Sequence, residues 1–355
     1  MKTLSILATR TSSFLLKLVG HGGSMPGTIG LKLDSNILHK LTFKGPVILV
    51  TGTNGKTSTA NMITDLMINA GYTVISNRKG DNLKAGITTT LLTNTAFNGK
   101  LKADACVLEV DELSVRHILP NIPVTAFVVN NFFRDQLDRA REMEQLIHSI
   151  EDVLPDYTGE LVLNGNDPNV SRLSLKAPKA HCTYFGIDKN QYSLSSTKEA
   201  SEGKFCPKCG SKLTYDYYQY SHIGKFQCTN CDFGTPDLDV SLHDIDLDKE
   251  TFIYADHPFK SPYEGMYSMY NCSAVLAIAK LFHIDLQCVE NVFAHAPQPA
   301  GRNEHFDKDG NQCILNLVKN PTGANEVMKV IEKDHEDKYI CIVLNDREQD
   351  GTDVS

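Results

Sequence analysis

Residues 51 to 59, TGTNGKTST, place two glycines, a lysine and a run of hydroxyls between an apolar stretch and a helix-like pattern. That order of residue types suits a polyphosphate. Glycines let backbone N–H groups come close, a helix N-terminus adds positive potential, Lys56 can reach the terminal phosphates, and the Thr57 hydroxyl can ligate Mg²⁺. Thr53, Asn54, Gly55, Lys56, Thr57 and Ser58 are therefore the candidate phosphate contacts. The common spacing G-x-x-x-x-G-K-[ST] is not kept, because Val50 stands five before Gly55 and the preceding glycine is Gly52. The bland alternative is a glycine turn with a chance lysine. It is disfavoured by the strand-like run before the loop and the helical period after it.

A second constellation is Cys206/Cys209 and Cys228/Cys231, two C-x-x-C pairs separated by 18 residues that read as a tyrosine-rich hairpin. Four thiolates at this spacing close a tetrahedral shell around Zn²⁺ with no open position, which makes the site structural. A redox role for one pair would leave the matched second pair unexplained. The other six cysteines are scattered, mostly in apolar runs. Carboxylates and amides also stand where strands end: Glu109 after ACVL, and Asn130 and Asn131 after VTAFVV.

The elements that must hold these residues alternate. Val47 to Val50 is a β-branched run, and Met62, Ile63, Leu66, Met67 and Ala70 share one helical face that stops at Gly71. Runs at Thr73–Ser76, Ala105–Val110, Val124–Val129 and Glu160–Asn164 read as further strands, with helices between the last three. Such alternation predicts an α/β fold with a parallel-rich sheet, whose ligands sit at the carboxyl ends of the strands. Gly265 introduces another helix, followed by an expected strand Cys313–Val318, a helix from about Gly323 to Glu336 and a strand Tyr339–Leu344.

Composition sets limits. The chain has 355 residues, enough for two or three domains, and 43 acidic against 35 basic residues give a net charge of −8, which argues against nucleic acid as the main partner. No apolar run approaches the roughly 18 residues of a membrane span, so a cytoplasmic protein is expected. Three parts are expected: a lead-in over 1–40 with the glycine-rich loop GHGGSMPGTIG, a central ATP-binding domain over 41–300 with the ribbon inserted at about 200–236, and an α/β domain from 301. The last is too small to bury its own core, so the sequence is expected to stop before that domain does.

The GTNGKT loop, with three later stretches, resembles the Mur ligase family, the ATP-dependent amide-bond-forming enzymes of peptidoglycan synthesis. That resemblance explains the missing glycine. It implies Glu109, in LEVDE, as a Mg²⁺ ligand beside Thr57. The family's N-x-x-x-D-H-L-D stretch appears as NFFRDQLDR, with Gln136 in place of histidine, and its G-x-H-N-x-x-N turn as GMYSMYN, which carries over Asn271 to the adenine while Tyr267 and Ser268 depart. Arg302 matches the interdomain arginine, and Ile150 falls where a carbamylated lysine usually serves a second metal. With only about 45 residues before the first strand, an N-terminal domain for a UDP-linked precursor is not expected. The ribbon, LVKNP and the ending LNDREQDGTDVS are similar to the ligase subunits of lipid II isoglutaminyl synthases, which pair with a GatD-type glutamine amidotransferase.

The resemblance implies amidation of the α-carboxylate of D-glutamate in lipid II to D-isoglutamine. Chemistry agrees with a divided labour. An acyl phosphate made from ATP needs ammonia, and none of the ten cysteines stands in a G-x-C-x-G elbow that would release it from glutamine. The resemblance selects Asp353 to complete the partner's Cys/His pair, the alternative being an Asx-type turn in an acidic loop with Asp346 and Asp350. Lys56, Glu109 and Asp353 are thus the candidate catalytic residues. A Mur or folylpolyglutamate-type ligase adding an amino acid shares every nucleotide residue, and a nucleotide switch or ribbon binding module is the alternative outside enzymes.

Overall fold

The computed structural model describes residues 1–18, 23–78, 80–133, 140–197, 202–297, 304–318, 321–333 and 337–343. The elements run α1 (Lys2–Leu18), α2 (Met25–Leu33), β1 (Val47–Thr51), α3 (Lys56–Asn69), β2 (Val74–Ser76), α4 (Lys84–Thr93), β3 (Ala105–Glu109), α5 (Val115–Ile118), β4 (Ala126–Val129) and α6 (Ala140–Glu151). They continue with β5 (Glu160–Asn164), α7 (Pro168–Ser171), β6 (His181–Ile187), β7 (Leu213–Tyr220), β8 (Ile223–Cys228), β9 (Val240–Asp246), β10 (Thr251–Tyr254) and β11 (His257–Lys260). The last are α8 (Met266–Leu281), α9 (Leu286–His295), β12 (Glu304–Lys308), β13 (Asn311–Leu315) and α10 (Pro321–Lys333).

Nine strands form one sheet in the order β11-β10-β9-β6-β5-β4-β1-β3-β2. The pairings from β2 across to β9 are parallel, and β10 and β11 extend the edge antiparallel. The central strands are apolar up to their carboxyl-terminal residues, Thr51 in β1 and Glu109 in β3, because helices cover both faces. In β1, Ile48 and Val50 join the core under α3, α8 and α9, whereas Val47 and Leu49 join the opposite core. The same period of two divides Val107 from Cys106 and Leu108, and Val128 from Phe127 and Val129. The alternation read from the sequence therefore does produce the parallel-rich sheet.

Residues 25–30 of the glycine-rich segment, expected to be a loop, are helical. Gly27 and Gly30 lie in α2 because no side chain fits there: a Cβ on Gly27 would stand 1.8 Å from the Ala85 carbonyl oxygen in α4, and one on Gly30 2.4 Å from Thr9 Oγ1 in α1. The missing side chains let three helices meet closely. Helix α1 has unusual polarity. Ser5, Ile6, Thr9 and Ser13 face inward, whereas Leu4, Leu7, Phe14, Leu15 and Leu18 are exposed. Among the described residues no helix is long and apolar enough to cross a membrane.

The ribbon hairpin of β7 and β8 forms as expected, over a small core of Cys206, Leu213, Phe226, Cys228 and Phe233. Two later expectations change. The strand proposed at Cys313–Val318 ends at Leu315 and pairs antiparallel with β12 through a turn at Asp309 and Gly310, both at positive φ, the signature of a tight Asp-Gly hairpin. Residues 339–343 form no strand, since no described segment pairs with them, and Tyr339, Ile342 and Val343 are exposed.

Candidate functional site: the phosphate loop and the four-cysteine ribbon

Strand β1 delivers the loop, and α3 begins at Lys56 directly after it. Gly52 and Gly55 take φ of 131° and 80°, a region that favours glycine. Gly55 is required for space as well, because a Cβ there would lie 2.2 Å from Asn271 Oδ1. Helix α8 thus carries Asn271 under the phosphate loop, against the start of α3. Thr59 Oγ1 donates to Asn271 Oδ1 at 3.2 Å and accepts from Asn130 Nδ2 at 2.9 Å. This buried amide–hydroxyl–amide chain ties the loop's helix to β4 and α8. Thr59 and Asn130 were not among the sequence candidates for the nucleotide, although Asn130 stands at a strand end.

Asn131 grips the loop more directly. The Asn54 N–H donates to Asn131 Oδ1 at 2.8 Å, Asn131 Nδ2 donates to the Asn54 carbonyl at 3.1 Å, and the Thr53 N–H donates to the Asn131 carbonyl at 2.9 Å. Phe133 N–H donates to Thr53 Oγ1 at 3.0 Å. Thr53 and Asn54 are therefore fixed to the start of the NFFRDQLDR stretch. Ser58 is buried and Thr57 half-buried in the first turn of α3.

Glu109 ends β3, paired in register with Val50 at the entrance to the loop. It is 4% exposed, and Asn82 Nδ2 donates to its Oε1 at 2.8 Å. Asn77 fixes the backbone there, accepting from the Glu109 N–H at 2.9 Å and donating to its carbonyl at 2.8 Å. The residue missed by sequence reasoning is Glu112, three positions on. Lys56 Nζ reaches both its carboxylate oxygens, at 3.1 and 3.0 Å. Burial pushes the Glu112 carboxyl above its ordinary value, and Lys56 offsets only part of that. A carboxylate following LEVD was visible in the sequence, but nothing local marks it as the lysine's partner.

Cys206, Cys209, Cys228 and Cys231 come together with their sulfurs all within 4.8 Å of one another. Cys206–Cys231 and Cys209–Cys228 each approach to 3.5 Å. The backbone N–H groups of Lys208 and Asn230 donate to the sulfurs of Cys206 and Cys228 at 3.4 Å. Clustered sulfurs receiving backbone N–H bonds fit a cation-binding thiolate shell, and the cluster could hold a metal ion. Arg302 and Asp353 lie outside the described residues, as do Asp135 and Gln136.

The Mur ligase middle-domain family matches residues 50–279, and the MurT ligase C-terminal family matches residues 317–355. The lipid II isoglutaminyl synthase subunit MurT of Streptococcus pneumoniae is 32% identical over 99% of this chain and 79% of its own length. The MurT of Staphylococcus aureus is 31% identical over 94% of this chain and 75% of its own. Among solved structures, a pseudomurein peptide ligase type C from Methanothermus fervidus superposes with a TM-score of 0.66 at 25% identity, covering 83% of this chain and 58% of that one. The phosphate loop, the glutamate at the end of β3 and Asn271 lie within the first of these family matches, and this chain belongs to the Mur ligase family, in its MurT group.

Proposed function

We propose that this chain is the ligase subunit of a lipid II isoglutaminyl synthase, converting the α-carboxylate of D-glutamate in the peptide stem to the amide of D-isoglutamine. The observation that carries this reading is the match to MurT subunits of that name over 94–99% of this chain. The substrate carboxylate attacks the γ-phosphorus of ATP and ADP leaves. Ammonia then attacks the acyl carbon of the acyl phosphate, inorganic phosphate leaves with the acyl–oxygen electron pair, and the nitrogen loses a proton.

Lys56 neutralises charge on the transferring phosphoryl group, and the backbone of Gly55 to Ser58 cradles the phosphates, held in place by Asn131 and Asn271. Thr57 and Glu109, a hydroxyl and a carboxylate at the loop, suit a hard cation and would hold Mg²⁺, which when bound neutralises phosphate charge. Arg302 is assigned to the nucleotide from the interdomain side. The four cysteines would hold a structural Zn²⁺. Ammonia comes from a GatD-type glutamine amidotransferase, with Asp353 orienting the partner's histidine.

A lipid-linked acceptor brings the enzyme to a membrane surface. In support, the exposed leucines and phenylalanine of α1 fall within about a 100° arc, and residues 1–33 contain four Lys or Arg and no Asp or Glu in a chain of net charge −8. We read α1 as a peripheral contact with anionic lipid.

The test combines this chain, the glutaminase partner, ATP, glutamine and lipid II, and follows product mass. Loss of about one mass unit, OH to NH₂, is the expected result. Gain of an amino-acid residue would instead support the amino-acid-adding ligase reading, and no ATP-dependent change would reject both.

A further inference from the structure

The ribbon is attached to the ligase core by the end opposite its cysteines. A hairpin turn ordinarily lies at the surface, yet here Tyr220, Ser221, His222 and Ile223 are 3%, 0%, 1% and 0% exposed. Tyr220 and Ile223 pack into the same core as α3 and α8. Ser221 adopts a φ of 46° that turns the chain inward. His222 Nε2 then lies 3.2 Å from Asp167 Oδ1, and its ring packs on Phe133 with centroids 4.8 Å apart.

Asp167 is wholly buried, and its other oxygen accepts the Phe132 N–H at 3.0 Å. Phe132 sits between the two residues that hold the phosphate loop, Asn131 on Asn54 and Phe133 on Thr53. His222 Nδ1 is buried without a hydrogen-bond partner, so the ring meets its polar neighbours through Nε2, which also lies 3.5 Å from Asn169 Nδ2.

We propose that His222 is a positioning residue for the phosphate loop: the inserted ribbon is a strut whose buried turn, through Asp167 and the Asn131–Phe133 segment, fixes Thr53 and Asn54 for nucleotide. The insertion thereby acts on ATP binding without contacting ATP. This rests on the reading that the loop binds ATP.

Two measurements test it. Coupling between sites is reciprocal, so ATP added to the wild-type protein should slow amide hydrogen exchange in the 220–224 turn as well as in the loop. Protection of the loop with an unchanged turn overturns the strut. Protection of neither overturns the ATP reading itself. In the complete enzyme, His222→Phe fills the space without the donor, and His222→Gln restores an N–H towards Asp167. The first should raise the KM for ATP about tenfold with little change in kcat or in the KM for lipid II, and the second should recover most of the loss. Should both variants lose thermal stability alike while the KM for ATP stays at the wild-type value, His222 is only a packing residue.

Discussion

Lys56 and Glu112 form an ion pair at the mouth of the phosphate loop, with Nζ within 3.1 Å of both carboxylate oxygens and side-chain exposures of only 15% and 8%. The lysine that would meet a phosphoryl group is held by a buried carboxylate. Phosphate must compete for it.

Lys56→Ala is expected to lower amidation about 10²–10³-fold, as loss of one donor to a developing charge does. It also strips Glu112 of its counter-charge, so part of any loss could come from instability. Lys56→Met with Glu112→Gln removes both charges and separates the effects. Near-wild-type turnover by that folded double variant would sink the phosphate-loop assignment.

The same pair gives a pH signature. Because burial raises the folded-state pKa of Glu112 above its ordinary 4.5, the folded protein binds that proton more tightly than the unfolded chain. Wild type should therefore gain stability relative to Glu112→Gln as pH falls from neutral through the raised pKa, with the gain complete below 4.5. Melting curves of both proteins at descending pH measure it. A gap moving the other way would show that Lys56 outweighs the burial.

For Glu109→Gln, the shape and the contact with Asn82 can be kept while the ligand charge is lost. The expected outcome is a Mg²⁺ requirement raised about tenfold with ATP affinity measured without metal unchanged, since a neutral amide is a poor ligand for a hard cation. An unaltered magnesium titration would move the metal to another carboxylate.

The parts of this fold that could be read from the sequence are those where one local rule suffices. β1, β3 and β4 are buried on both faces and so appear as short apolar runs. Helix α4 was overlooked because ITTT is β-branched. In the fold, Thr88 and Thr89 donate to the carbonyls of Lys84 and Ala85, four residues back, which satisfies the hydroxyls within a helix. Strands β9 to β11 are more polar and add an edge that no motif announces. The phosphate loop and the cysteines could be found because each motif is contiguous or evenly spaced. Lys56–Glu112 and His222–Asp167 could not, since they join residues 56 and 55 positions apart and depend on the sheet order.

The ribbon should bind about one equivalent of zinc, and Cys206→Ser or Cys231→Ser should lose it. Stability should suffer more than chemistry at the loop, because four thiolates with no open position have no catalytic ligand site. Elemental analysis of protein prepared without chelator provides the measurement. Absence of zinc there would return the two C-x-x-C pairs to a redox reading.

Asp353 is assigned to the partner's half of the reaction, and its test must separate ammonia release from ammonia use. Asp353→Asn keeps the side chain's shape, so assembly with the glutaminase and ATP binding should persist. The amide cannot hold the histidine in the tautomer that activates the cysteine, and loss of such an orienting aspartate costs on the order of 10⁴-fold in comparable triads. Glutamine-dependent amidation should therefore collapse. Concentrated ammonium salt at alkaline pH bypasses the glutaminase step and should restore amidation at least in part, because Lys56 and Glu109 are untouched. Lys56→Ala should show no such rescue, since its defect lies in forming the acyl phosphate that ammonia attacks. If Asp353→Asn retains glutaminase activity in the complex, or if ammonia fails to rescue it while ATP still binds, Asp353 belongs to an acidic loop or to the ligase site, not to a triad shared between subunits.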